Sequence, residues 1–229
     1  MTAPGLPALP LRLVIFDCDG VLVDSEALSR EVIAAEAARM GLAFTEDAAR
    51  QFTGLRWTDL QPVLEGLAGR TLPPDWPIHM QNLLIAHMHG RLRAIPGAAN
   101  ALRAVTAAGL PFRVASNSSH AEMAEKFAET GLAALVGERK HSAKDVGVGK
   151  PDPALFLAAA TAEGVPAGAC LVIEDSIPGV TAAHAAGMAC LALVPEGDTA
   201  PFMALGARPI RSFAELPGIL RDAMLQRAA

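Results

Sequence analysis

The chain contains no tyrosine, and aromatic residues make up only 4% of its 229 positions. A hydrophobic core must therefore be built mainly from aliphatic side chains, and a hydrophobic content of 52% is sufficient for a sizeable one. Long apolar runs are missing too, so no segment is predicted to span a membrane. Basic clusters are likewise absent and the formal net charge is −5, which argues against nucleic acid or a membrane surface as a partner.

Cysteine is scarce: the sequence has three, Cys18, Cys170 and Cys190, and each lies in or beside an apolar run. An odd number of cysteines in such positions favours buried free thiols in a reducing compartment over disulfides or a metal site. The first ten residues contain three prolines and no basic cluster, which is not typical of a signal peptide. We therefore expect a soluble, cytoplasmic protein.

Strand patterns are missing from the segment between residues 26 and 91. Apolar spacing and helix-ending glycines there predict helices over residues 26–40, 46–52, 58–67 and 78–89. The rest of the chain alternates strands with helices, and the strands are expected at residues 13–16, 111–115, 134–136, 170–173 and 188–194. This alternation predicts an α/β fold with a doubly wound parallel sheet. We expect residues 1–23 and 96–229 to form that core and residues 24–95 to form an all-helical insert.

The first predicted strand ends on a pair of carboxylates, Asp17 and Asp19. Residues two apart in an extended chain point to the same side, about 6.6 Å apart at Cα, and Gly20 then allows a sharp turn. Facing carboxylates repel each other, which favours a bound cation or a raised pKa. The alternative is that an Asp-Gly turn merely closes the strand, which explains Asp19 better than Asp17.

Polar residues also follow two later strands. Ser116 and Asn117 follow the strand at 111–115, where hydroxyls and free N–H groups at a helix start can bind an anion. Glu174 and Asp175 follow the strand at 170–173. Both groups could instead be ordinary helix caps. If the strand ends converge, however, so many carboxylates favour a hard divalent cation, for which Mg²⁺ is the natural choice.

Lys150 lies in the segment Gly-Lys-Pro-Asp-Pro and is one of only four lysines. The following proline stiffens the backbone around it, although most loop lysines are simply solvated. Together with the strand-end residues it fits the hydrolysis of a phosphate ester. Asp17 can supply the nucleophile and Asp19 the acid, while donors and Mg²⁺ can surround the transferring oxygens.

The order of these motifs resembles the haloacid dehalogenase superfamily. The segments Asp-Cys-Asp-Gly-Val-Leu-Val-Asp-Ser, Ser-Asn, Gly-Lys-Pro-Asp-Pro and Ile-Glu-Asp-Ser stand in the family's order and cover nearly the whole chain. The chain is similar to the branch with a helical cap, which includes phosphoglycolate, sugar-phosphate and phosphogluconate phosphatases. The resemblance implies a Rossmann-like core, a closing cap and an aspartyl-phosphate on Asp17. It also implies Mg²⁺ held by Asp17, the Asp19 carbonyl and Asp175, with Glu174 close by.

The same resemblance separates several reaction types. Dehalogenases of the superfamily lack the second aspartate, which is present here as Asp19. Phosphonatases use a cap lysine, but no lysine precedes Lys126. Beta-phosphoglucomutases, which the chain also resembles, carry a histidine in the first cap helix, where this sequence has Ser29. Hydrolysis is therefore favoured over a sugar-phosphate mutase, and a binding protein on a retained fold is the third alternative.

Two residues of the predicted insert are candidates for substrate selection. Arg56 could meet a second anionic group of the substrate and Trp57 could stack on a sugar, although Arg56 could equally be solvated and Trp57 packed between helices. The expected substrate is a small phosphorylated metabolite, a sugar phosphate or a sugar-acid phosphate. The protein is expected to be a monomer or a weak homodimer.

Overall fold

The fold is an α/β sandwich whose computed structural model describes residues 6–44, 49, 52 and 54–225. The strands are β1 Leu13–Phe16, β2 Val23–Asp24, β3 Arg93–Ala94, β4 Phe112–Ser116, β5 Lys140–Ser142, β6 Cys170–Glu174, β7 Ala189–Leu193 and β8 Arg208–Ile210. The helices are α1 Glu26–Arg39, α2 Trp57–Ala68, α3 Trp76–Met88, α4 Ala98–Ala107, α5 His120–Glu129, α6 Ala133–Val136, α7 Ala143–Val146, α8 Ala154–Ala162, α9 Ile177–Ala185, α10 Ala200–Ala204 and α11 Leu216–Leu225.

Six strands form one parallel sheet in the order β5-β4-β1-β6-β7-β8. β1 lies near its centre and is completely buried, as expected for a strand without a polar residue. Val14 and Phe16 pack into a hydrophobic layer with α4 and α11, whereas Leu13 and Ile15 pack into a second layer with α8 and α9. Helices therefore cover both faces of the sheet, and the predicted doubly wound fold is confirmed.

Helices α1, α2 and α3 lie between the short strands β2 and β3, which pair antiparallel. Their packing centres on Trp76, whose ring lies edge-on to Trp57 at 6.5 Å between centroids. The indole N–H of Trp76 donates to Glu36 Oε1 at 2.9 Å, so this buried polar group is satisfied. The helix predicted over residues 46–52 lies outside the described residues except for positions 49 and 52.

One predicted strand is wrong: residues 134–136 form helix α6. The N–H of Val136 donates to Leu132 O at 3.0 Å, so local helical bonds satisfy this backbone. The edge position beside β4 is taken by β5, whose polar sequence Lys-His-Ser gave no strand signal. All three cysteines are buried and free, as predicted. Among the helices that the structure describes, none has the length and apolar composition that a membrane span requires.

Candidate active site

A cavity of about 380 Å³ lies over the carboxyl ends of the central strands. From the sheet side, the residues that line it include Asp17, Asp19, Ser116, Lys150 and Asp175. From the helical segment, they include Ser29, Leu55, Trp57, Ile78 and Gln81. The edge of a parallel sheet at its strand ends is where ligands of such folds bind. The parallel register therefore brings together residues that are distant in the sequence.

Asp17 ends β1 and contacts a lysine from another part of the chain. Lys150 Nζ lies 2.6 Å from Asp17 Oδ1 and 2.6 Å from Glu174 Oε1. The backbone N–H of Lys150 donates to Asn117 Oδ1 at 2.9 Å, and this bond holds the loop that carries the lysine. Asp17 Oδ2 makes no hydrogen bond to any residue that the structure describes. One oxygen of Asp17 is thus fixed while the other remains available.

Glu174 is fully buried at the end of β6 and has all its hydrogen bonds within the protein. Its Oε2 accepts bonds from the backbone N–H groups of Asp175 and Ser176, both at 2.9 Å, and from the Ser176 hydroxyl at 2.8 Å. The carboxylate lies under the first turn of α9, where a Cβ at Gly179 would overlap it. Glycine at position 179 is therefore required for this close approach.

Asp175 differs from its neighbours because its carboxylate has no hydrogen-bond or ion-pair partner among the described residues. It lies against Gly20, whose φ of 74° and lack of a Cβ allow the contact. Asp17, Glu174 and Asp175 each offer a carboxylate oxygen, and these oxygens lie within 4.8 Å of one another. This all-oxygen donor set, with one carboxylate unpartnered, fits a hard divalent cation such as Mg²⁺.

The electrostatics of this cluster reflect its burial. Burial raises the pKa of Asp17 to about 7, with Lys150 opposing the shift and Glu174 adding to it. Burial and the charges of Glu174 and Asp17 also hold the pKa of Asp175 well above its usual value. For Lys150, burial would lower the pKa, but the two adjoining carboxylates outweigh it and raise the pKa. The ammonium is therefore charged, and the carboxylates around it repel one another.

Asp19 lies beside this cluster but faces different partners. Its Oδ1 accepts hydrogen bonds from Ser25 Oγ and from Lys126 Nζ, the latter at 2.5 Å. Its Oδ2 accepts from Ser118 Oγ at 2.8 Å and from Ser116 Oγ at 3.3 Å. Burial would raise the pKa of Asp19, but Lys126 and the hydroxyls of Ser25 and Ser118 outweigh it and lower the pKa. The Asp19 side chain is not part of the carboxylate cluster of Asp17, Glu174 and Asp175.

The sequence reasoning missed Lys126, Ser118 and Ser25. Lys126 lies on α5, which begins with a capping box: Ser119 Oγ accepts from Glu122 N at 3.2 Å and Ser119 N donates to Glu122 Oε2 at 2.6 Å. The available sequence signal was the spacing of Glu122 and Lys126, because residues four apart lie on the same face of a helix. Lysines on helices are usually exposed to solvent, so the sequence offered no reason to place Lys126 at the site.

The two specificity candidates lie at the cavity, and both already have protein partners. Arg56 donates from Nε and Nη2 to Asp59, at 2.7 Å each, and from Nη1 to the Gly147 carbonyl at 3.0 Å. Trp57 Nε1 donates to Glu122 Oε1 at 3.0 Å. The loop before α2 is also held by Asn117, whose Nδ2 donates to the Gly54 carbonyl at 2.9 Å. These contacts join the helical segment to the sheet across the cavity.

Known proteins that are similar to this chain include phosphatases. The chain is 29% identical over 180 residues to a 6-phosphogluconate phosphatase of Escherichia coli K12, covering 78% of this chain and 80% of that one. It is 35% identical over 192 residues to a probable pseudouridine-5'-phosphatase of Drosophila melanogaster, covering 80% of each.

The chain is also similar to the crystal structure of a HAD family hydrolase from Deinococcus radiodurans R1 with bound phosphate and sodium. The identity is 38% and the TM-score 0.74, and the match covers 94% of this chain and 97% of that one. The family model of the haloacid dehalogenase-like hydrolases matches residues 11–187. The prediction that the protein is a hydrolytic enzyme is therefore confirmed. The chain belongs to the haloacid dehalogenase-like hydrolase family.

Proposed function

We propose that this enzyme hydrolyses phosphate monoesters of small metabolites in an Mg²⁺-dependent reaction that passes through an aspartyl-phosphate on Asp17. The observation that carries the proposal is the state of Asp17, which lines the cavity: Lys150 holds Oδ1, while Oδ2 has no hydrogen-bond partner among the described residues. A fixed carboxylate with one available oxygen is what a nucleophile needs. The printed names of the phosphatase relatives support the same reaction.

The metal would be held by Asp17, Asp175 and the Asp19 main-chain carbonyl, with Glu174 orienting Lys150 and the backbone beside them. When bound, Mg²⁺ supplies positive charge that offsets the repulsion between the phosphate and these carboxylates. The remaining positive charge and donors come from the chain itself.

In the first step an oxygen of Asp17 attacks phosphorus, and the bond between phosphorus and the ester oxygen breaks. Asp19 delivers a proton to the departing oxygen, so the product is a neutral alcohol. The negative charge of the phosphate beside Asp19 raises its pKa and so favours the protonated form that this step needs. Ser116, the Asn117 backbone N–H and Lys150 donate to the phosphoryl oxygens.

In the second step Asp19, now a carboxylate, accepts a proton from water. The water oxygen attacks phosphorus, the bond to Asp17 breaks, and inorganic phosphate and the Asp17 carboxylate are formed. The lowered pKa of Asp19 favours its ionised form and therefore suits this step. One carboxyl group thus serves as acid and then as base.

We further propose that residues 24–95 act as a cap over the core formed by residues 1–23 and 96–229. Support comes from the paired strands β2 and β3 at both ends of the segment and from the bonds of Arg56 and Trp57 across the cavity. A second anionic group on the substrate would have to compete with Asp59 for Arg56. The cap side chains therefore suit an uncharged part of the substrate, next to the indole of Trp57.

The test is a panel of phosphate monoesters, measured with and without Mg²⁺. It contains 6-phosphogluconate, phosphoglycolate, hexose and pentose phosphates, and beta-glucose 1-phosphate with its bisphosphate. Wild type is compared with Asp17→Asn, and Asp222→Asn is the matched control because it makes the same change at an exposed position of α11. We expect phosphate release that needs both Mg²⁺ and Asp17.

Two outcomes would contradict the proposal. Isomerised sugar phosphate with little free phosphate would identify a mutase, although Ser29 lies at the cavity where mutases carry a histidine. No turnover of any ester by folded protein would favour a binding protein.

A further inference from the structure

Lys126 is a charged residue in the protein interior, with 1% of its surface exposed. Its neighbours on α5, Met123 and Phe127, are buried in the hydrophobic core, so the helix holds the lysine backbone in place. Placing an ammonium group in such surroundings is costly unless it is paired and hydrogen-bonded. A specific set of partners must therefore compensate for its burial.

Those partners are Asp19 and Ser118. Lys126 Nζ lies 2.5 Å from Asp19 Oδ1 and 2.7 Å from Ser118 Oγ. The Ser118 hydroxyl in turn donates to Asp19 Oδ2 at 2.8 Å. Ammonium, hydroxyl and carboxylate thus close a ring in which each carboxylate oxygen has a donor from a different residue. A carboxylate held at both oxygens cannot rotate without breaking a bond.

We propose that Lys126 is a positioning residue for Asp19, and that it fixes the carboxylate at the place where it exchanges protons with the ester oxygen and with water. The inference rests on the proposed phosphatase activity and adds a residue to it. Lys126 borders the cavity, but its side chain is only 2% exposed, which leaves almost no surface for contact with a substrate. Lys126 therefore acts through Asp19, whereas Lys150 contacts the nucleophile Asp17.

A positioning role predicts a change in kcat without a matching change in KM. A misplacement of about 1 Å can cost roughly 100-fold in rate. We therefore expect Lys126→Met, which keeps the length of the side chain and removes its charge, to lower kcat by about 100-fold and to change KM by less than about 3-fold.

The decisive experiment is a double-mutant cycle between Lys126→Met and Asp19→Asn, with kcat and KM measured on the best ester of the panel. If Lys126 acts through Asp19, Lys126→Met will change kcat by less than about 3-fold in the Asp19→Asn background. An equal loss in both backgrounds, or a rise in KM with kcat retained, would overturn the proposal. Lys140→Met is the control, because Lys140 bonds only to Gly137 and Glu138 among the described residues.

A second variant covers the case in which Lys126→Met does not fold, as judged by its thermal melting. Ser118→Ala opens the same ring without removing a buried charge, and we expect a loss of kcat of about 10-fold that again disappears in the Asp19→Asn background. A loss that persists there would overturn the proposal. Failure of the phosphatase proposal is distinguishable, because wild type itself would then show no turnover that depends on Mg²⁺ and Asp17.

Discussion

The two carboxylates at the end of β1 lie in contrasting surroundings. On the Asp17 side, the ammonium group of Lys150 pairs with Asp17 and Glu174, while the nearby Asp175 has no ion-pair partner among the described residues. On the Asp19 side, a single carboxylate accepts hydrogen bonds from the ammonium of Lys126 and from serine hydroxyls. Burial and the neighbouring carboxylates raise the pKa of Asp17, whereas Lys126 and the serine hydroxyls outweigh burial and lower the pKa of Asp19, although only one residue separates the two.

This difference shows how one strand end can support two chemical roles. Groups whose surroundings move their pKa values apart can act as nucleophile and as acid or base within one site. The Asp17 side carries three carboxylates against one ammonium and therefore needs additional positive charge. The Asp19 side is electrically balanced by Lys126. We therefore expect bound metal ions to interact with the carboxylates of the Asp17 side and to leave the Asp19 carboxylate largely unaffected.

The largest effect is expected from replacing Asp17, the proposed nucleophile. Asp17→Asn removes the attacking oxygen anion, and we expect kcat to fall by roughly 10⁴-fold or more. Asp19→Asn removes only proton transfer and should cost roughly 10² to 10⁴-fold. Steady-state kinetics on the best ester compares the two variants. A smaller loss for Asp17→Asn than for Asp19→Asn would reverse the assignment of roles.

Asp175→Asn tests the unbalanced charge of the Asp17 side. Loss of this oxygen ligand should raise the Mg²⁺ concentration for half-maximal activity by roughly 10 to 100-fold. Removal of a partly buried and unpartnered carboxylate should at the same time raise the melting temperature of the metal-free protein. Activity and thermal melting, each titrated with Mg²⁺, provide the two measurements. An unchanged Mg²⁺ requirement would remove Asp175 from the metal site.

Gly179→Ala tests how closely the Asp17 side is packed. The new Cβ would overlap the Glu174 carboxylate, and we expect a loss of about 1–3 kcal/mol in the free energy of unfolding. Gly66→Ala is the matched control, because Gly66 lies in α2 and a Cβ added there would meet no other atom within 4 Å. That substitution should stabilise the protein by about 0.4–1 kcal/mol. Urea unfolding of both variants shows whether the signs differ.

The smallest expected effect is the pH dependence of the free energy of unfolding that arises from His141 on the edge strand β5. Burial, together with the charge of Arg113, lowers the pKa of His141 on β5. The unfolded state then binds a proton more readily, so stability present above the unfolded pKa of about 6.5 is lost as the pH falls through it. His120 adds to the shift, whereas Asp145 and Glu163 oppose it.

We therefore expect wild type to lose more stability than His141→Gln between about pH 7.5 and about pH 5.5. The ring is only partly buried, so screening by solvent should limit the difference to roughly a few tenths of a kcal/mol. Urea unfolding of both proteins at the two pH values measures it. Equal losses would show that another group controls this pH range.

The sequence predicted the sheet well because β1 and β6 are apolar runs that end on carboxylates. It did not predict β5 or β8, since short edge strands such as Lys140–Ser142 are partly polar and owe their conformation to pairing with a neighbour. Within the site, the strand-end residues and Lys150 were identifiable from their motifs. Lys126 was not, because its contact with Asp19 joins positions 107 residues apart and depends on how α5 packs against the sheet.

The central claim is that the phosphoryl group passes through Asp17. The most direct measurement is a rapid acid quench of enzyme turning over the best ester, followed by mass spectrometry of the peptide that contains Asp17. Asp19→Asn lacks the acid of the first step as well as the base of the second, so with an aryl phosphate, whose leaving group departs without a proton, it should accumulate this peptide with one added phosphoryl group. We expect that label on Asp17, formed as fast as the leaving group is released. Release of the leaving group without any phosphorylated Asp17 would contradict the central claim.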